Sequence, residues 1–66
     1  MRLFKYSGPV VDKYSNRVRC NSFVAFTHAA SVKEALTNFK VQYCKTYGLT
    51  LSAPVKLKEK YIIQGD

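Results

Sequence analysis

The segment from Ser31 to Gly48 constrains this chain most, because both ends of one helix can be read in it. Ser31-Val32-Lys33-Glu34 has the form of a capping box. In that device the serine hydroxyl accepts from the Glu34 amide, and the Glu34 carboxylate reaches back to the Ser31 amide. A carboxylate in the first turn also suits the helix dipole. Apolar residues then recur at Val32, Ala35, Leu36, Phe39, Tyr43 and Tyr47, which draws one stripe along an amphipathic helix. Gly48 stands where a left-handed residue ends such a helix, with Leu49 folding back over the last turn. The spacing predicts a helix over residues 32–47.

The flanking segments alternate instead. Residues 3–7 read as a strand with Phe4 and Tyr6 on one face. Gly8-Pro9 interrupts it: proline donates nothing to a ladder, so the strand is at an edge, bulged, or ends there, and Val10 and Val11 can resume it. Tyr14-Ser15-Asn16 has turn chemistry and closes a hairpin, since asparagine tolerates the left-handed region. Residues 17–27 read as a long second strand. Val18, Cys20, Val24 and Phe26 share one parity, while Arg17, Arg19, Asn21, Phe23, Ala25 and Thr27 share the other. Ser22 and Phe23 break the alternation, which suggests a bulge near Asn21 that would decide the face of Phe23. Residues 49–54 are a connection, residues 55–63 a third strand, and Gln64-Gly65-Asp66 a frayed end. The expected fold is α+β: a single domain over residues 1–66, with a three-stranded antiparallel sheet in the order β-β-α-β and one helix packed on one face. The helix stripe would meet Phe4, Tyr6, Val18, Cys20, Val24, Phe26, Leu57 and Tyr61.

Composition narrows the function classes. With 47% hydrophobic residues, five tyrosines and four phenylalanines, the chain is too apolar for disorder. No apolar run is long enough for a membrane span, and no apolar segment follows Arg2 and Lys5 as in a secretion signal. The expectation is therefore a cytoplasmic protein whose Cys20 and Cys44 are reduced, a disulfide between them being the alternative. One histidine and two cysteines do not supply a zinc site, and His28 has no nucleophile at a recognisable spacing. The carboxylates are too scattered for an acid–base pair. No cofactor motif is present, and the chain reads as a binding module without enzymatic activity.

The net charge of +7 is spread along the chain rather than held in a tail, so the fold itself must display it. Lys56, Lys58 and Lys60 alternate with Val55, Leu57, Tyr61 and Ile63 on the opposite parity. On this third strand the three lysines share one face at intervals of roughly 6.6 Å, comparable to neighbouring phosphates along a strand. Arg17 and Arg19 would add two guanidinium forks from the second strand, unless Asp12 engages them across the hairpin. Phe23, and Tyr14 in the turn, are candidates for stacking on unpaired bases if exposed. Ile62, with Leu3 and Val10, would leave an apolar strip on the same open face, suited to a second copy or another protein.

The opening "LFKYSGPV", the long hairpin, the strand running into "AASVKEALTNF", and "YGL" before a basic last strand resemble the small ribosomal protein family LX. Small uncharacterised proteins of Gram-positive phages and conjugative elements have a similar look. The first resemblance implies a compact sheet with one helix, in contact with ribosomal RNA. These readings converge on a small basic module that contacts the backbone of DNA or RNA through Lys56, Lys58, Lys60, Arg17 and Arg19. The alternative is a protein-interaction or homodimer module, an accessory of a mobile element, that uses the same face with Phe23 and Ile62 as anchors.

Overall fold

The computed structural model describes residues 2–50 and 52–64. The order of elements is β1 (Arg2–Asp12), β2 (Val18–Ala29), α1 (Val32–Thr46), β3 (Val55–Leu57), a single 3-10 turn (Glu59–Tyr61) and β4 (Ile62–Gln64). The fold is α+β with one helix over an antiparallel sheet, as expected. The sheet has four strands rather than three: β1 is central, β2 pairs along one side of it, and β3 and β4 share the other.

The β1–β2 hairpin closes as its turn residues require. The Asp12 Oδ1 atom accepts from the Tyr14 and Ser15 amides, both at 2.9 Å, and Asn16 takes the left-handed region at φ 59°. Further along, the ladder slips twice, between the Gly8–Phe23 and Val10–Cys20 pairs and again before Val11–Val18. The first slip is the bulge expected near Asn21. It lies opposite Pro9, which has no N–H to give to a ladder. Cys20 and Phe23 both turn toward the helix, three positions apart, and every residue of β2 beyond the bulge changes parity. Phe23, Ala25 and Ala29 therefore pack inward, while Val24 and Phe26, expected in the core, stand 53% and 57% exposed.

The last strand is broken for a related reason. Val10–Asp12 pair with β3 and Phe4–Tyr6 pair with β4, which leaves Ser7, Gly8 and Pro9 between the two ladders. The 3-10 turn spans that gap and lays the Tyr61 ring on Gly8. A Cβ on Gly8 would stand 2.5 Å from Tyr61 Cγ, so only glycine leaves room for it. The Tyr6 hydroxyl fastens the break from within, donating to the Pro9 carbonyl at 2.7 Å and accepting from the Lys58 amide at 3.1 Å. From Leu57 to Ile62 the parity shifts, so Ile62 packs against the core and Ile63 is 57% exposed, the reverse of the expectation. Gln64 is not frayed but pairs with Phe4, while Gly65 and Asp66 lie outside the described residues.

The helix follows its local signals closely. The Ser31 hydroxyl accepts from the Glu34 amide at 3.2 Å, although the Glu34 carboxylate does not close the reciprocal bond. At the other end Gly48 has φ 67°, and the Leu49 and Gly48 amides donate to the Cys44 and Lys45 carbonyls, a Schellman stop. Ala35, Phe39, Tyr43 and Cys44 are buried against Phe4, Tyr6, Phe23, Val55 and Leu57. Tyr47, expected on the stripe, caps the helix instead and is exposed.

Candidate nucleic-acid interface

The break in the last strand scatters the lysine row. Lys56 is exposed on β3, opposite Val11. Lys58 precedes the 3-10 turn and is half-buried, its amide held by the Tyr6 hydroxyl. Lys60 lies within the turn, its Nζ 5.2 Å from the centre of the Tyr61 ring. Alternation places side chains on one face only while the chain stays extended, and here it does not. The three lysines flank the sheet edge rather than forming one cationic row.

Arg17 is exposed in the turn, where its carbonyl accepts from the Asp12 amide at 2.7 Å. Arg19 occupies the second bulge, and its Nε lies 3.4 Å from Asp12 Oδ2. The Ser15 and Tyr14 amides, and then the nearby Arg19, hold the Asp12 carboxyl below its ordinary value of 3.8. Part of the Arg19 charge is thus spent inside the hairpin. Phe23 is corrected from stacking candidate to core: it is 7% exposed and meets the Tyr43 ring edge-on at 5.3 Å. Ile62 is corrected likewise, since it pairs with Tyr6 and packs on the core. Neither is free to anchor a partner.

A different set of side chains occupies the face away from the helix. The register puts Lys5 between Phe26 on β2 and Ile63 on β4, with Ser7 opposite Val24 and Leu3 opposite His28. Val24, Phe26 and Ile63 are each more than half exposed, and the Lys5 Nζ sits 5.7 Å from the centre of the Phe26 ring. None of the strand residues on this face is acidic. The arrangement is an exposed aromatic ring under a cation, inside an apolar patch, with Lys56 at one margin. The outward turn of Phe26 depends on where the bulge falls. Phe23-Val24-Ala25-Phe26 offers inward-facing aromatics in either parity, so alternation alone does not choose between them.

The free edge of β2 is covered along Phe26, Thr27 and His28. The Gln42 side chain donates to the Phe26 carbonyl at 3.0 Å, and the Asn38 amide donates to Thr27 Oγ1 at 3.2 Å and toward the His28 carbonyl at 3.5 Å. The helix thereby occupies acceptors that another strand would use, which blocks edge-to-edge pairing there.

Among the described residues, no group of three or more His, Cys, Asp or Glu could hold a metal ion, and no helix is long and apolar enough to cross a membrane. No family model, curated protein or solved structure matches the chain.

Proposed function

We propose that this protein is a small non-enzymatic module that binds single-stranded nucleic acid on its open sheet face. Phe26 supplies a stacking platform. Lys5 and Lys56 contact the backbone, and Arg17, Lys58 and Lys60 extend the positive field around the rim. The observation that carries this reading is Phe26, 57% exposed beneath the Lys5 ammonium on a face without strand carboxylates. Unpaired bases stack on such rings whatever their sequence, and lysines follow the phosphates. The likeness to the small ribosomal family points toward RNA among the single strands.

The rival use of this face is a homodimer, favoured by the adjacent apolar side chains of Val24, Phe26 and Ile63. Lys5 weighs against it. A two-fold contact centred on this patch would bury two ammonium groups with no carboxylate to meet them.

Binding of a labelled single-stranded oligonucleotide, followed by anisotropy across a salt series, tests the proposal. Engagement of about four phosphates gives a slope of log K on log salt near −3. Phe26→Ala should weaken binding by about 1–3 kcal/mol, as for loss of one stacked base. A flat salt dependence, or full affinity in Phe26→Ala, would remove this reading. A mass that doubles with concentration and collapses in Phe26→Ala would install the dimer in its place.

A further inference from the structure

A groove of about 440 Å³ runs between α1 and β3, away from the open face. It is lined by Lys13 from the hairpin turn, Leu36, Thr37 and Lys40 from the helix, and Val55, Lys56 and Leu57 from β3. The fold builds it in two steps. The Lys13 amide donates to the Pro54 carbonyl at 2.8 Å, which ties the hairpin turn to the start of β3. On the other side, Asn38 and Gln42 hold the helix to the edge of β2, leaving the β3 side open.

Three lysines line this one cleft, and among the described residues none is ion-paired, the Lys13 Nζ lying 5.9 Å from the centre of the Tyr14 ring; Arg19 and Asp12 pair elsewhere. The arrangement suits an anion. A carboxylate supplies one negative charge, whereas a phosphomonoester supplies about 1.5 to 2 at neutral pH and offers several acceptor oxygens. Lysine suits such a group as a mobile point charge. The groove asks for more than a bare ion. Leu36, Val55 and Leu57 line it with apolar side chains, and the volume is that of a small-molecule site rather than of one phosphate.

We propose that this groove binds a phosphomonoester carried on an apolar or aromatic body, as in a mononucleotide or a short phospholipid. The phosphate sits among Lys13, Lys40 and Lys56, and the body lies on Leu36, Val55 and Leu57. The site is distinct from the open face: Phe26 lies across the sheet, and Lys13 and Lys40 belong to neither margin of that patch. Only Lys56 is common to both.

Amide shifts of labelled protein, titrated separately with adenosine 5′-monophosphate, dihexanoyl phosphatidic acid, inorganic phosphate and adenosine, test it. Either of the first two should move Lys13, Thr37, Lys40 and Lys56 at concentrations about ten-fold or more below inorganic phosphate, and the stronger identifies the body. Adenosine alone should move none of them. Lys40→Gln should weaken the better ligand about five-fold or more while leaving oligonucleotide binding at Phe26 unchanged. Equal, weak binding of all phosphates means an adventitious ion only and overturns the proposal. Shifts confined to Lys5, Phe26 and Ile63 also overturn it, while leaving the reading of the open face intact.

Discussion

Tyr6 carries more of this structure than its neighbours do. Its ring is fully buried between Phe23, Phe39 and Tyr61, and its hydroxyl joins the Pro9 carbonyl to the Lys58 amide. One oxygen thus satisfies two backbone groups that no ladder reaches, at the point where the last strand breaks. Tyr6→Phe keeps the ring and removes the bridge, so it should cost about 1–3 kcal/mol in a denaturant titration, the usual penalty for stranding buried polar groups. The same hydroxyl sets an alkaline limit. Burial lifts its pKa above the ordinary value of 10.0, partly offset by the Lys58 amide. In the unfolded chain the phenol ionises first, so this contribution is complete below pH 10 and drains away as pH rises toward the folded value. Tyr6→Phe should therefore flatten the alkaline loss of stability. Tyr43 and Tyr47, raised as well, should leave some of it in place. An unchanged alkaline limb would mean that the hydroxyl is not held as described.

At the scale of elements, the helix was legible and the faces of the sheet were not. Every signal that bounds the helix is local: Ser31 three residues from Glu34, and Gly48 directly after the last turn. Gly48 has nothing within 4 Å of a prospective Cβ, so its role is purely conformational, at φ 67°. Gly48→Ala should then cost about 1–2 kcal/mol by thermal or urea unfolding, the price of a left-handed alanine. Gly48→Asn should recover part of that, because asparagine enters this region more readily. Strand parity, by contrast, turns on pairs distant in sequence. Pro9 displaces the register of β2 near Asn21, and Gly8 admits the Tyr61 ring that breaks the last strand. One residue of slip exchanges the faces of a strand. The β2 bulge moved Phe23 inward and Phe26 outward, while the break in the last strand moved Ile62 inward, sent Ile63 outward and dispersed Lys56, Lys58 and Lys60. The existence of an open face could be read from one helix lying on one sheet; its membership could not. The lysine groove escaped for the same reason, since Lys13, Lys40 and Lys56 come from three elements and share no local pattern.

For the molecule as a whole, charge and size act together. The formal net charge is +7, and the dimensions are only 33 × 20 × 17 Å. The Debye length is about 30 Å at 0.01 M salt, so at that ionic strength nearly every lysine acts on every other. With Arg19 paired to Asp12 and the groove lysines unpaired, self-repulsion opposes the folded state more than the expanded one. Raising sodium chloride from about 0.01 M to about 0.15 M shortens the Debye length to about 8 Å and should stabilise the fold. Urea is the suitable denaturant because it adds no ions of its own. Most of the gain should come in that first interval, since the screening length changes most there, and chloride avoids the salting-out of apolar surface that sulfate brings. Ligand binding has the opposite sign. Oligonucleotide affinity at the open face and phosphomonoester affinity in the groove each rest on cations, with Lys56 common to both, so both should fall over the range in which the fold strengthens. Opposed salt responses of folding and binding, measured on one preparation, would mean that the excess charge is held for a partner at a cost to the fold. A midpoint indifferent to salt would mean that the cations are already neutralised within the chain, and both binding surfaces would lose their electrostatic basis.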